Sequence, residues 1–197
     1  MSDRDSLIAL LARRSTKRGR FTLASGQQST LYIDARLTTM SPDGLALIGP
    51  LGLAALNGTA WNVDAIGGLT LGADPVSYAI SYASALTETP LRAFTVRKEA
   101  KAHGTGRLIE GSFQNGDRVA IIEDVITTGT SALRAIDAVH AAGGIVVGVL
   151  ALVDREPLGL ADSTAVIRQV ESILVLRTYL QAQEFDRQLA TGIGLVV

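Results

Sequence analysis

The sequence predicts one α/β domain, spanning residues 1–197, in which helices flank a central, mostly parallel sheet. Three observations support this fold class. The chain has 197 residues, which fits one domain with at most a small addition. Hydrophobic residues make up 47% and charged residues 19%, a composition typical of globular proteins. From residue 63 onward, nearly continuous runs of valine, isoleucine and leucine alternate with helical segments, as in sheets covered on both faces.

The first sixty residues predict a helix, two short strands and a second helix. Residues 5–18 place leucines and an isoleucine on one face, with basic residues near the C-terminal end, which predicts a helix. Residues 21–36, FTLASGQQSTLYIDAR, alternate enough around a central glycine to predict two short strands or a hairpin. Residues 41–58 begin with Ser-Pro and end on glycine, so they predict the second helix.

The remaining elements follow from residue 63. Strands are predicted at residues 63–69, 91–96, 117–125 and 145–154, and helices at residues 73–86 and 131–144, the latter stopping at Gly143. A further strand at residues 172–180 and a short helix at residues 181–192 are predicted for the C-terminal segment. This alternation of strand and helix is what indicates the parallel sheet.

Composition excludes several classes of protein. The net charge of −1 argues against a general attraction to nucleic acid or membranes, because that attraction needs a large basic field. The chain has no cysteine, so zinc-thiolate sites, disulfide scaffolds and cysteine nucleophiles are excluded. The N-terminus is charged from its third residue, and no stretch reaches the about 18 apolar residues of a membrane span. We therefore expect a cytoplasmic protein.

The strongest functional signal lies in residues 119–131, VAIIEDVITTGTS, which leave a predicted strand and enter a predicted helix. Ligands of parallel sheets gather at the carboxyl ends of strands, and the N–H groups of a helix N-terminus favour an anion. Gly129 and the surrounding hydroxyls therefore suit a phosphate. Glu123 and Asp124 would repel a phosphate alone, but two adjacent carboxylates suit the vicinal hydroxyls of a ribose. A ribose-phosphate site is thus predicted, with an ordinary capped helix and solvated acids as the alternative.

Two other phosphate-binding motifs fit poorly. Gly67 and Gly72 have the glycine spacing of a Walker loop, but Ala73 stands where that motif needs lysine. No G-x-G-x-x-G dinucleotide motif follows a predicted strand. A nucleotide hydrolase is therefore disfavoured.

Residues 119–131 resemble the phosphoribosyl pyrophosphate (PRPP) motif of the type I phosphoribosyltransferases. The resemblance implies that fold, with a small N-terminal hood to which residues 1–40 and the C-terminal segment contribute. It implies that Glu123 and Asp124 hold the ribose hydroxyls and that the following turn holds the 5′-phosphate. The residues so assigned to the turn are Val125, Ile126, Thr127, Thr128, Gly129, Thr130 and Ser131.

Two further stretches resemble the orotate phosphoribosyltransferases among these families. Residues 21–36 are similar to their N-terminal motif, and residues 97–111, RKEAKAHGTGRLIEG, are similar to their catalytic loop. The second stretch concentrates cations in a nearly neutral chain, which suits a pyrophosphate leaving group, although charge runs are also common in solvated turns. The cations of this loop are Arg97, Lys98, Lys101, His103 and Arg107.

The resemblance implies an Mg²⁺-dependent transfer of ribose 5-phosphate from PRPP to N1 of orotate, with the ion held mainly by substrate. It implies a homodimer in which residues 97–107 act across the interface. Catalytic roles fall to Lys101, His103 and Asp124, and PRPP contacts also to Arg97 and Lys98. The implied pyrophosphate loop is Leu69, Thr70, Leu71 and Gly72, and the implied orotate contacts are Tyr32, Ile33, Thr127 and Arg155.

Two positions depart from the pattern of many relatives, and two other functions stay open. Ala24 and Leu71 stand where many relatives have lysine, which removes two cations from an anionic site. The alternatives are a type I phosphoribosyltransferase for another base and a non-catalytic regulator that senses PRPP. The basic stretch favours catalysis, and the chain has no evident additional domain for a regulatory partner.

Overall fold

The computed structural model describes residues 2–22, 28–99, 108–126 and 129–154. Its elements in chain order are α1 (Asp3–Ser15), β1 (Thr16–Thr22), β2 (Gln28–Ile33), α2 (Arg36–Thr39), α3 (Pro42–Asn57), β3 (Ala65–Leu69), α4 (Ala73–Ser84), β4 (Arg92–Val96), β5 (Ile109–Gly111), β6 (Arg118–Ile126), α5 (Thr130–Ala141) and β7 (Ile145–Asp154). The strand and helix predicted at residues 172–180 and 181–192 lie outside the described residues.

The main sheet has five strands in the order β5-β4-β3-β6-β7. Strand β3 pairs in parallel with β4 and β6, and β6 pairs in parallel with β7. Strand β5 is antiparallel to β4 at the edge of the sheet. The predicted fold class, a mostly parallel sheet flanked by helices, is confirmed. The sequence did not indicate β5, because three residues are too few for a periodic signal.

Alternation along β6 divides the core between the two faces of the sheet. Ala120 and Ile122 pack with residues of α3 and α4 and with apolar residues of α1 and β2. Val119 and Ile121 pack with the alanines of α5 on the other face. Because both faces of this strand are buried, its side chains are apolar from Val119 to Ile122, just before the acid pair.

The N-terminal elements differ from the prediction in where they begin and end. Helix α1 begins after Ser2, whose hydroxyl accepts a hydrogen bond from the Asp5 N–H at 3.2 Å, and ends at Ser15. The predicted helix, residues 5–18, therefore begins too late and extends too far, because Thr16 pairs with Ile33 at the start of an antiparallel hairpin. The hairpin agrees with the prediction of two short strands, but β1 begins at Thr16, before the predicted segment at residues 21–36.

Helix α3 begins where the sequence predicted it, and the lengths of the helices can be compared with the thickness of a membrane. Helix α3 begins at the predicted Ser-Pro pair, where the Ser41 hydroxyl accepts from the Gly44 N–H at 3.2 Å. Across the described ranges, none of the helices combines the length and the apolar character needed to cross a bilayer.

Candidate functional site

Three loops of the candidate site meet at one edge of the main sheet. Strands β3, β4 and β6 are neighbours, and they end at Leu69, Val96 and Ile126. Because the three strands are parallel, their carboxyl ends lie at the same edge. The predicted pyrophosphate loop, the start of the cationic stretch and the predicted phosphate turn therefore leave the sheet side by side.

The acid pair, Glu123 and Asp124, lies near the end of strand β6, and its two side chains point to opposite faces of the sheet. Ile121 packs with α5 and Ile122 with α3 and α4, so alternation places Glu123 on the α5 face and Asp124 on the other. Glu123 is 6% exposed, and its Oε1 has no hydrogen-bond partner among the described residues. Burial, with a smaller contribution from the Asp124 carboxylate, raises the pKa of Glu123 to about 8.

Asp124 connects the acid pair to the loop after β3. Its Oδ1 accepts a hydrogen bond from the Val125 N–H at 2.8 Å. A Cβ on Gly72 would overlap the Asp124 carboxylate, so only glycine fits where the two segments touch. Burial raises the pKa of Asp124, and hydrogen bonds from the backbone oppose that rise. The predicted ribose-binding acid and the predicted pyrophosphate loop are therefore direct neighbours.

The predicted phosphate turn leads into the N-terminus of α5. Gly129 has a φ of 76°, a left-handed conformation that favours glycine, and it immediately precedes the helix. The Leu133 N–H donates to the Gly129 carbonyl at 2.9 Å, so the helical hydrogen bonds begin there. Thr130 and Ser131 are exposed in the first turn. Val125 and Ile126 still belong to β6, and Thr127 and Thr128 lie outside the described residues.

The loop at residues 69–72 is held against β4. The Thr70 N–H donates to the Val96 carbonyl at 2.8 Å, and the peptide bond between Thr70 and Leu71 is cis. Leu71 is 53% exposed, and α4 begins directly after Gly72. The loop therefore places the N-terminus of α4 beside the acid pair. This N-terminus supplies a second helix dipole that favours an anion.

A cleft of about 510 Å³ opens between this loop and the start of the cationic stretch. Arg97 continues β4, and its Nη1 lies 3.7 Å from Glu110 Oε1 on β5. Lys98 is exposed. Lys101, His103 and Arg107 lie outside the described residues. The residues that line the cleft are Thr70, Thr95, Arg97, Lys98, Glu99 and Glu110.

The β1–β2 hairpin presents one aromatic face. Tyr32 is 39% exposed, whereas Ile33 is 9% exposed and packs in the core, so Ile33 offers little surface to a ligand. The ring of Phe21 lies 5.5 Å from the ring of Tyr32, tilted by 33°. Sequence reasoning found one aromatic side chain here and missed Phe21. Phe21 is paired with Ser29 in the strand register, so its ring contact with Tyr32 becomes evident only from the structure.

Arg36 is a cation near the acid pair that sequence reasoning also missed. Its Nε and Nη2 donate to the two carboxylate oxygens of Asp34 at 2.8 and 3.0 Å. The carboxylate of Asp34 raises the pKa of Arg36 most, and the side chains of Tyr32 and Asp124 add to the rise. Arg36 therefore lies within electrostatic reach of both the aromatic face and Asp124. Ala24 and Arg155, which the sequence analysis also singled out, lie outside the described residues.

Comparisons with known proteins place this arrangement among enzymes of one kind, although no protein-family model matches the chain. The chain is 46% identical to the orotate phosphoribosyltransferase of Aquifex aeolicus over 162 residues, which is 81% of this chain and 87% of that protein. It is 50% identical to the orotate phosphoribosyltransferase of Mycobacterium bovis over 153 residues, 78% of this chain and 83% of that protein. A crystal structure of the Mycobacterium tuberculosis orotate phosphoribosyltransferase in complex with PRPP superposes with a TM-score of 0.62 at 44% identity, covering 78% of this chain and 83% of that one.

Proposed function

The chain belongs to the orotate phosphoribosyltransferase family, and from this membership we infer that it transfers ribose 5-phosphate from PRPP to N1 of orotate. The products are orotidine 5′-monophosphate and pyrophosphate. The observation that carries the inference is 46–50% identity to curated members over most of the chain. The acid pair of the PRPP motif also lies at the carboxyl end of β6, beside the loop at residues 69–72.

We propose that the acid pair and the first turn of α5 hold the ribose 5-phosphate group of PRPP. Asp124 would accept from a ribose hydroxyl, and Glu123 would use the oxygen that lacks a partner in the described structure. Gly129 opens the turn before the helix, where backbone N–H groups and the helix dipole favour the 5′-phosphate. The hydroxyls of residues 127, 128, 130 and 131 would complete this part of the site.

The pyrophosphate group would lie between the loop at residues 69–72 and the cationic stretch. The contact of Gly72 with Asp124 places the loop next to the ribose site, as a ligand joining the two groups requires. Arg97 and Lys98 line the adjoining cleft. Lys101 and His103, as the family implies, would complete the cationic side when the substrate is bound.

Orotate would pack against the aromatic face of the hairpin. Phe21 and Tyr32 supply a flat apolar surface suited to a planar ring. The burial of Ile33 gives its role in orotate binding no support, and Phe21 is the better candidate. Thr127 and Arg155 remain the predicted contacts for the polar edge and the carboxylate of orotate.

The proposed mechanism rests on charge stabilisation and positioning. Loss of pyrophosphate builds positive charge on the ribose ring and negative charge on the leaving group. Carboxylates beside the sugar and cations beside the pyrophosphate each stabilise the charge that develops next to them. Holding both substrates in place removes much of the entropic barrier, and exclusion of water prevents hydrolysis of the activated sugar. No covalent enzyme intermediate is needed.

Mg²⁺ is a proposed cofactor that this donor set fits when substrate supplies most of its ligands. Within the described ranges, no three carboxylates or histidines lie close enough together to hold a metal by themselves. Glu123 and Asp124 nevertheless offer hard oxygen donors, one of them without a partner among the described residues. When bound with PRPP, the ion would supply positive charge to the pyrophosphate oxygens, and the acid pair would lie beside it.

A homodimer is the proposed assembly. Exposed apolar side chains lie on α4 and just after it, with Tyr78 51%, Tyr82 76% and Leu86 82% exposed. Tyr78 and Tyr82 are four residues apart and share one face of the helix, and Leu86 follows just beyond its end; exposed apolar side chains grouped in this way favour a protein partner. A second copy of the chain could bury these side chains by two-fold symmetry and bring its 97–107 segment to the site. The cytoplasm remains the predicted location, and the pathway would be pyrimidine nucleotide synthesis.

The activity test is direct. Purified protein is mixed with Mg²⁺, PRPP and orotate, and the loss of orotate absorbance is followed. We expect turnover with orotate and none with uracil or adenine. Turnover with another base instead would move the enzyme to a different phosphoribosyltransferase class, and PRPP binding without turnover on any base would favour a regulator.

The cationic stretch has its own test. Lys101→Ala should lower kcat by roughly a hundredfold, the scale of losing one group that stabilises developing charge, while the circular dichroism spectrum stays unchanged. Arg134→Ala, on an exposed position of α5, is the matched control for removing a surface cation. Equal turnover in both variants would reject the role of the stretch in catalysis.

A further inference from the structure

Asp74 is a buried carboxylate that joins two segments of the site. It lies in the first turn of α4 and is 9% exposed. Its Oδ2 accepts from the Thr70 hydroxyl at 2.7 Å, and its Oδ1 accepts from the Thr95 hydroxyl at 2.8 Å. Thr70 belongs to the 69–72 loop, and Thr95 lies near the end of β4, two residues before Arg97. One side chain thus ties the loop to the strand that leads into the cationic stretch.

The directions of these hydrogen bonds are fixed by counting hydrogens. A threonine hydroxyl carries one hydrogen, and Thr95 gives its hydrogen to Asp74. The 2.7 Å contact between the Tyr78 hydroxyl and the Thr95 hydroxyl must therefore be donated by Tyr78. The chain of donors runs from Tyr78 to Thr95 to Asp74, and Thr70 donates to the same carboxylate from the other side.

The same count shows that Thr70 has no donor left for a ligand. Its hydroxyl hydrogen goes to Asp74, and its N–H goes to the Val96 carbonyl at 2.8 Å. Both groups face into the protein, although the residue lines the cleft. An anion in the loop must therefore find its donors at the backbone that follows Thr70, at Leu71, Gly72 and the start of α4.

We propose that Asp74 is a positioning residue for the pyrophosphate group, which it serves by fixing Thr70 and so presenting the backbone N–H groups of residues 71–73 to the anion. The inference rests on the proposed assignment of residues 69–72 to pyrophosphate. It explains why a carboxylate is tolerated so near an anion site. Two hydroxyl donors offset its charge, and the N-terminus of α4 stabilises it further.

The Thr70 hydroxyl could serve the site in two ways, through its hydrogen bond to Asp74 or by direct contact with pyrophosphate. If Thr70 acts through Asp74, removing either partner removes the same interaction, and removing both costs no more than removing one. If the Thr70 hydroxyl bound pyrophosphate directly, its loss would add to the loss of Asp74. A double-mutant cycle on pyrophosphate binding therefore distinguishes a positioning role from direct contact.

The experiment measures the Kd of magnesium pyrophosphate by calorimetry on the full chain. Asp74→Asn keeps the shape but can no longer accept from both hydroxyls, and Thr70→Val removes the hydroxyl at constant volume. We expect each to raise Kd about tenfold, the equivalent of one hydrogen bond to a charged group, with Thr70→Ser within about twofold of the parent chain. The Kd of the double variant should equal that of whichever single variant binds pyrophosphate less tightly. The KM for orotate should be unchanged in all of these variants.

The control is Ser84→Ala at the other end of the same helix. Ser84 is fully buried, and its hydroxyl donates to the Ser81 carbonyl at 2.7 Å and accepts from the Leu91 N–H at 2.8 Å. Ser84→Ala should lower the melting temperature without changing the Kd for pyrophosphate. Additive losses in the double variant, or an equal loss in Ser84→Ala, would overturn the positioning role.

Two other outcomes separate this inference from the proposed function. If the parent chain turns over orotate but Asp74→Asn and Thr70→Val bind pyrophosphate as tightly as the parent, only the inference fails. If the parent chain neither binds pyrophosphate nor turns over orotate, the proposed function fails and the inference fails with it.

Discussion

Asp74 and Glu123 are buried to nearly the same degree and differ in what their oxygens contact. Asp74 is 9% exposed and accepts a hydroxyl hydrogen at each oxygen. Glu123 is 6% exposed, and its Oε1 has no partner among the described residues. Burial alone therefore does not define the role of an acid in this site. We propose that the carboxylate with both oxygens occupied holds the loop in place, and that the one whose Oε1 lacks a partner among the described residues accepts from a ligand.

The difference has an energetic consequence. A buried polar atom without a partner costs about 1–3 kcal/mol, and a buried charge costs more. The raised pKa of Glu123, about 8, reduces this cost because the group remains protonated at neutral pH in the free protein. The fold thus tolerates an unsatisfied oxygen at the position where substrate hydroxyls are proposed to bind. Replacing each acid or its neighbours tests this account, and the largest effect is expected at the acid nearest the reacting ribose.

Asp124→Asn should lower kcat by roughly a hundredfold to a thousandfold, the usual cost of removing one preorganised group that stabilises transition-state charge. The amide keeps the size of the side chain and its contact with Gly72, but it carries no negative charge to stabilise the developing positive ribose. Steady-state kinetics with saturating PRPP and orotate measure the effect. Asp137→Asn, at an exposed position of α5, is the matched control and should leave kcat unchanged. A loss below threefold in Asp124→Asn would remove Asp124 from the catalytic group.

Glu123→Gln should remove a pH dependence of PRPP binding. Hydroxyls donate to the ionised carboxylate, so the proton on Glu123 must leave before PRPP binds fully. With a pKa of about 8 in the free protein, the Kd for PRPP should fall as pH rises toward 8, by up to about tenfold per pH unit, and level off above it. Calorimetry between pH 7 and 9 measures this, above the range in which phosphate itself titrates. A slope that survives in Glu123→Gln would assign the titration to another group.

The raised pKa of Glu123 also predicts how the free energy of unfolding changes with pH. The pKa of Glu123 is raised from 4.5 to about 8 on folding, so the folded state binds the proton more tightly than the unfolded chain. Its contribution to stability is complete below pH 4.5 and is lost as pH rises through 8. The free energy of unfolding of Glu123→Gln should therefore decline less over this window than that of the parent chain, as urea titrations at each pH would reveal.

The position of the acid pair in the fold could be predicted from the sequence because it depends only on neighbouring residues. An apolar run of β6 ending in Glu-Asp predicts a buried strand with acids at its carboxyl end, and strand alternation already separates Glu123 from Asp124. The turn before α5 is equally local, since glycine and hydroxyls precede a helical pattern. These features depend on neighbours within a few residues, so the resemblance and the fold agree there.

The rest depended on long-range placement. The ring of Phe21 contacts that of Tyr32, although the strand pairing places Lys17 opposite Tyr32 and Ser29 opposite Phe21, so no sequence periodicity predicts the contact. The charge of Asp124 acts on Arg36 because the fold brings the start of α2 near the carboxyl end of β6. This proximity joins residues far apart in sequence, so no local pattern predicts it. Helix α1 ends at Ser15 because Thr16 pairs with Ile33 in the hairpin, a contact between residues far apart in sequence that the helical pattern does not reveal.

Arg36→Met should have a smaller effect than either acid, because the Arg36 side chain is 47% exposed and its charge is screened by water. Its loss removes a cation near Asp124 and leaves Asp34 without its ion-pair partner. We expect the KM for PRPP to rise about two- to fivefold, the range of an exposed charge interaction, with kcat nearly constant. Arg14→Met is the control, since Arg14 is also exposed and also paired with an acid, Asp43, but at the contact between α1 and the start of α3. Equal changes in the two variants would mean that Arg36 acts only on the fold.

Phe21→Leu should have the smallest effect, because it removes neither a charge nor a hydrogen bond. The 5.5 Å pair with Tyr32 contributes about 0.5–1 kcal/mol beyond burial, and leucine retains much of the apolar surface. The KM for orotate should therefore rise about two- to threefold while the Kd for PRPP stays constant, because the ring is proposed to contact the base and not the phosphates. Phe113→Leu gives the control, since Phe113 pairs with Phe94 at 5.5 Å on the α5 side of the sheet. If Phe21→Leu weakened PRPP binding as much as Arg36→Met, the hairpin would act on the whole site through its position, and the ranking by burial and charge would no longer hold.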